Sequence, residues 1–153
     1  MMLMSDVSLK PYSDTSYHNE ELKSLSRYRF TKVQERAKLK TSVSRLVQIL
    51  FPELEKLVCT LHMVSVYRLL EEYPGASYIA KAHLTTLTNL LIEVSKGRYN
   101  RDTTIKFRDT ARNSIGSIMP AKSLELKHII KLIRELNNEI EEVDAEIKKI
   151  MIA

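Results

Sequence analysis

Between Leu126 and Ile150 the chain sets Leu126, Ile129, Ile133, Leu136, Ile140, Val143, Ile147 and Ile150 in alternating steps of three and four. An α-helix turns once in about 3.6 residues, so these side chains form one apolar seam along a single helix, the pattern of a coiled coil. Pro120 stands where a first helical residue belongs, because its missing N–H would be unpaired there in any case. Thirty residues at about 1.5 Å each make a rod of roughly 45 Å. Ile, Val and Leu are mixed along the seam, so its oligomer number stays open. Its partner can be the first helix of the same chain or the same helix of another copy.

The rest of the sequence also points to helices. Three Gly and four Pro leave few breaks, and aromatics are 7 % with no Trp, so a core here is aliphatic. The expected fold is all-α: a long basic N-terminal helix, short helices in the middle and a long C-terminal coiled-coil helix. Residues 1–18 read as an irregular tail, a remnant connector, and 19–153 as the helical, coiled-coil module. The first helix runs from about Asn19, a suitable cap, to Leu50, with apolar positions that include Leu22, Leu25, Phe30, Val33, Ala37, Val43, Leu46 and Val47. Short helices follow over Pro52 to Val58, Met63 to Glu72, Ser77 to Lys81 and Leu84 to Val94. A further one is capped by Asp102 and stopped near Gly116.

Several functional classes are disfavoured. Cys59 is the only cysteine, so no intrachain disulfide forms. The opening residues lack the cationic and apolar stretches of a signal peptide, and no window nears the ~18 apolar residues that span a bilayer. A cytoplasmic protein without membrane contact is expected. His18, His62, His83 and His128 have no second ligand at a metal-binding spacing, and the scattered glycines cannot build a phosphate loop. Ser114 and Ser117 lack the flanking glycines of a nucleophile elbow. No catalytic residue, metal ligand, cofactor or small-molecule substrate is expected in this chain.

Charge is the remaining signal. The net charge is +5 with a pI near 9.3, and it is unevenly spread. Lys23 to Arg45 holds eight cations against the single acid Glu35. Within it Arg29, Lys32, Arg36 and Lys40 share one helical face, where like charges repel by a few tenths of a kcal/mol per pair. A polyanion accounts for such a row, since it neutralises successive phosphates and releases counterions. Arg27 and Lys38 lie beside it. A second cluster, Lys96 to Arg112, sets six cations against two acids, with Arg98, Arg101, Arg108 and Arg112 as its candidate phosphate contacts. Neither cluster backs onto a lipid-facing apolar stripe.

The runs Leu25-Ser26-Arg27-Tyr28-Arg29-Phe30, Val33-Gln34-Glu35-Arg36-Ala37-Lys38-Leu39-Lys40, Phe51-Pro52-Glu53-Leu54, Tyr73-Pro74-Gly75-Ala76, Ser95-Lys96-Gly97-Arg98-Tyr99 and Ala111-Arg112-Asn113-Ser114-Ile115-Gly116 resemble, in that order, the central segment of the DEDD insertion-sequence transposases of the IS-one-ten family. The resemblance extends from about Leu3 to Met151. It implies a non-catalytic segment between a RuvC-like domain with acidic metal ligands and a smaller domain with a serine nucleophile. Any divalent metal would belong to the absent RuvC-like part. Asp6 and Asp14 do not sit in the Asp-x-x-Asp pattern of that part, and no residue here matches a catalytic position. The implied partners are DNA and a structured guide RNA, with homo-oligomers formed through the C-terminal coiled coil. A coiled-coil dimerisation module without nucleic-acid binding is the alternative.

Overall fold

With so few helix breakers, most backbone N–H groups can be satisfied inside helices, and punctuation falls to a few Pro, Gly and Asn residues. The computed structural model, which describes residues 17–152 in full, is helical with no strand among those residues. Its elements are α1 (Met2–Leu50), α2 (Leu54–Leu57), α3 (Val64–Glu72), α4 (Ala76–Lys81), α5 (Leu84–Ser95), α6 (Arg101–Arg112) and α7 (Pro120–Ile152). None of these helices, among the described residues, is long and apolar enough to cross a membrane. The irregular tail expected over residues 1–18 lies outside the described residues except for Tyr17 and His18. Both are helical, so the helix is already formed before Asn19, which caps nothing.

The contacts divide the chain into two units, Met1–Arg36 with Glu135–Ala153, and Ala37–Arg134. The first is a two-helix hairpin. Arg29 pairs with Asp144, Lys32 with Glu139 and Arg36 with Asn137, so partner numbers fall along α7 as they rise along α1 and the helices run antiparallel. Leu136, Ile140 and Val143 of the seam are buried in this unit, while Ile147 and Ile150 are half-buried. Facing them on α1 are Leu22, Leu25, Arg29, Lys32 and Arg36, again in steps of three and four, with the half-buried Val33 beside Lys32. Phe30 and Ala37, read from sequence as apolar helix positions, point outward, Phe30 at 63 % exposure. The covered stripe passes one residue before each of them, through Arg29 and Arg36.

The second unit holds the main core. Val43, Leu46, Val47, Leu50 and Phe51 meet Leu54 of α2, Leu69 and Leu70 of α3, Ile79 of α4, Leu87 and Leu91 of α5, and Phe107 of α6. From α7 come Leu126, Ile130 and Ile133, each fully buried, whereas the seam residue Ile129 is half-buried. A helix packed in a multi-helix core buries a wider arc than a coiled-coil seam, which explains the gain of Ile130. Burying these side chains is the dominant favourable term of folding, at about 1.5–3 kcal/mol for each large one.

Local chemistry moves several expected boundaries. The N-cap of α6 is Asn100, whose Oδ1 accepts from the Thr103 N–H at 2.9 Å, and Asp102 lies inside the first turn. α6 ends at Arg112, four residues before Gly116. That glycine has a different role. It lies against the end of α1, where a Cβ would stand 2.4 Å from the Leu50 carbonyl oxygen. The linker around it is pinned: Ser117 N–H donates to the Ile49 carbonyl at 2.7 Å, and the Glu53 carboxylate accepts from Ser114 Oγ and from the Ile115 N–H. Burial pushes the Glu53 carboxyl up, but those two hydrogen bonds, with its own backbone N–H and the charge of Lys56, hold the group below its ordinary value.

Candidate nucleic-acid interface

In the hairpin unit the expected cation row divides by face. Arg27 is exposed and enters no ion pair among the described residues. Arg29 Nε lies 2.5 Å from Asp144 Oδ1, Lys32 Nζ 2.7 Å from Glu139 Oε1, and Arg36 donates to Asn137 Oδ1 at 2.7 Å. Lys32 is only 8 % exposed, and its ammonium also sits 4.5 Å from the centre of the Tyr28 ring, within cation–π range. The hydrogen bond to Glu139, with help from Tyr28, keeps that ammonium charged far above the ordinary lysine range. The spacing that suggested a phosphate track therefore has a partner inside the molecule. The acids that supply it, Glu139 and Asp144, stand beside the seam residues Ile140 and Val143. Coiled-coil flanks are where charged pairs choose a partner helix, and that was the available signal in the sequence.

In the second unit Lys38 is exposed and Lys40 half-buried. The positive charge of Lys40 acts on His62, which bridges α1 and α3: Nε2 lies 3.3 Å from Ser44 Oγ and Nδ1 lies 2.6 Å from the Tyr67 hydroxyl. Burial, and after it Lys40, lower the His62 pKa, with Glu55 opposing. A cavity of about 240 Å³ opens beside this link.

The second cluster is built differently. α5 ends on Lys96 in the left-handed conformation, φ 55°, and Gly97 follows at φ 83°. This sharp reversal turns the chain through Arg98 and Tyr99 into the Asn100 cap of α6. Tyr99 fixes the elbow, its N–H bonded to Ser95 Oγ at 2.9 Å and its ring 5.7 Å from that of Phe107. Along α6, Arg101, Arg108 and Arg112 fall at steps of seven and four and so share a face. Thr104, Phe107 and Ala111 turn into the core. Asp102 lies roughly 100° round the helix from Arg101, and Asp109 borders the face three residues before Arg112, but neither pairs with its arginines among the described residues. Lys96, Arg98, Arg101 and Arg112 are exposed, and none of the cluster's cations enters an ion pair among the described residues. Arg108 is half-buried, and its Nε is buried with no hydrogen-bond partner.

Among the described residues no group of three or more His, Cys, Asp or Glu stands where it could hold a metal ion. No protein-family model matches the chain, and no curated protein is similar to it.

Proposed function

We propose that this chain is a non-catalytic, nucleic-acid-binding helical module, the central segment of a transposase of the kind its sequence resembles. The observation that carries the binding part is the α6 face. Three arginines share it, no acid among the described residues pairs with them, and one has a buried N–H without an acceptor. Unpaired cations held on a rigid helix suit a phosphate backbone, with Arg98 and Lys96 extending the track along the elbow. The transposition role rests on the sequence runs alone. Self-association belongs to the same reading: α7 of one copy would take the place of the other's against α1, because the seam within each hairpin is already covered.

A coiled-coil interaction module without nucleic-acid binding is favoured by one observation, that Arg29, Lys32 and Arg36 already have partners on α7. Fluorescence anisotropy separates the readings. The purified chain is titrated into labelled duplex DNA and a labelled RNA hairpin at low and physiological salt, beside a variant carrying Arg98→Glu, Arg101→Glu and Arg112→Glu. All three side chains are exposed, so the fold is kept. Binding by the wild type that weakens at least tenfold in the variant, with a shallower salt dependence, supports the proposal. Equal binding by both, or none by either, leaves the interaction module as the better account.

A further inference from the structure

The hairpin unit carries a second consequence, which rests on the nucleic-acid reading. Three positions of the covered α1 stripe, Arg29, Lys32 and Arg36, hold cations around the half-buried Val33, although the helix that covers them offers Leu136, Ile140 and Val143. At a buried position such as that of Lys32, an apolar residue of similar volume is commonly as stabilising as the ion pair it replaces, or more so. The charge at Lys32, flanked by two more cations at Arg29 and Arg36, is therefore poorly explained by stability alone. Their partners are unequal as well. Asp144 and Glu139 bring two negative charges and Asn137 none, so the row keeps a positive excess. The Asp144 and Glu139 side chains are 48 % and 51 % exposed, which places the carboxylates at the rim, while the apolar seam closes beneath.

We infer that Glu139 and Asp144 occupy, on Lys32 and Arg29, the places that backbone phosphates would take, so that α7 and a nucleic acid compete for one cation row. Carboxylate and phosphate oxygens meet guanidinium and ammonium donors through the same charge-assisted hydrogen bonds. A carboxylate on the rim can swing into water as a phosphate arrives, leaving Leu136, Ile140 and Val143 covered. Arg29, at 42 % side-chain exposure, exchanges first; Lys32, at 10 %, exchanges only at its tip, beside the half-exposed Tyr28 ring. Arg36 keeps its neutral Asn137 partner throughout. Polyanion binding on α1 is thus held down by the chain's own acids, while the α6 face stays open.

The test compares two variants of equal charge. Glu139→Gln with Asp144→Asn removes the competitors. Glu141→Gln with Glu142→Gln removes two exposed acids of the same helix that enter no ion pair among the described residues. Affinity for a labelled DNA duplex and an RNA hairpin is measured against salt for both, with far-ultraviolet circular dichroism to verify the helices. Competition predicts that the first variant binds on the order of tenfold tighter than the second. Its salt slope should be steeper by about two, for two further phosphate contacts. Adding Arg29→Gln and Lys32→Gln should cancel that gain. Equal affinities for the two variants, or a gain that survives those changes, overturns the competition while α6-dependent binding still stands. Absence of binding by every form at low salt overturns the nucleic-acid reading and the competition with it.

Discussion

Gly116→Ala tests the linker that ties α6 to α7 at the end of α1. The new methyl would stand 2.4 Å from the Leu50 carbonyl oxygen and 2.7 Å from its carbon, with the Phe51 nitrogen at 3.2 Å. That wall is backbone and cannot give way easily, because Leu50 is 2 % exposed, Phe51 is fully buried and the Phe51 N–H is bonded to the Val47 carbonyl. The linker must therefore lift by about an ångström to reach ordinary contact. Lifting stretches the Ser117-to-Ile49 bond, now 2.7 Å, and the Ile115-to-Glu53 bond, now 3.0 Å. Two weakened hydrogen bonds, one to a carboxylate, cost roughly 2–4 kcal/mol. Alanine returns about 0.4–1 kcal/mol by restricting the unfolded chain. The net expectation is a destabilisation of about 2–3 kcal/mol, a fall of roughly 5–10 °C in Tm for a chain of this size. Urea titration followed at 222 nm measures it, with an unchanged m-value confirming that the denatured state is the same. A variant within ~0.5 kcal/mol of the wild type, the usual range for a harmless surface change, would refute the reasoning.

Acidification should weaken the fold through His62, whose pKa is lowered in the folded chain. The unfolded imidazole takes up a proton below about pH 6.5 more readily than the folded one, so the stability it contributes is full above that value and lost as pH falls through the folded pKa. Urea titrations at pH 7.5 and 5 should show a larger drop for the wild type than for His62→Asn, and equal drops would remove His62 as the cause. Lys32→Leu should raise the thermal midpoint, since it extends the apolar stripe and leaves the half-exposed Glu139 hydrated. A lower midpoint would show that the ion pair outweighs burial. Phe51→Ala, at a fully buried site, should cost about 3–5 kcal/mol in the same urea assay. Asn100→Ala should cost about 1 kcal/mol by removing the cap on Thr103, and no measurable loss would argue that Asp102 substitutes for it.

The helices were legible wherever periodicity was strong or a breaker stood alone. α7 follows from its repeat and from Pro120, and α3 and α5 lie within a residue of their expected limits. Signals that depend on tertiary neighbours were not legible. Arg29, Lys32 and Arg36 have the spacing of a surface row, and nothing local says that a distant helix covers them. Only pairing the first helix with Glu139 and Asp144, more than a hundred positions away, makes the row a seam. Phe30 misled for the mirror reason, because an aromatic side chain on a helix invites a core assignment that the packing does not use. Gly116 sits near a helix end in the sequence, yet its place is set by the Leu50 carbonyl, a contact no spacing rule records. The α6 arginines were visible as composition. That they share one face, unpaired by the acids beside them, needed the helix start at Arg101.

A stripe with cations at its centre also limits the company that each helix can keep. Two copies of α1 laid stripe to stripe would bring Arg29, Lys32 and Arg36 toward one another, whereas α7 sets Glu139 and Asp144 against that row. The charges therefore favour the pairing of α1 with α7 over a pairing of two α1 stripes. A charge row buried in a seam thus acts against the wrong partner as much as it acts for the right one.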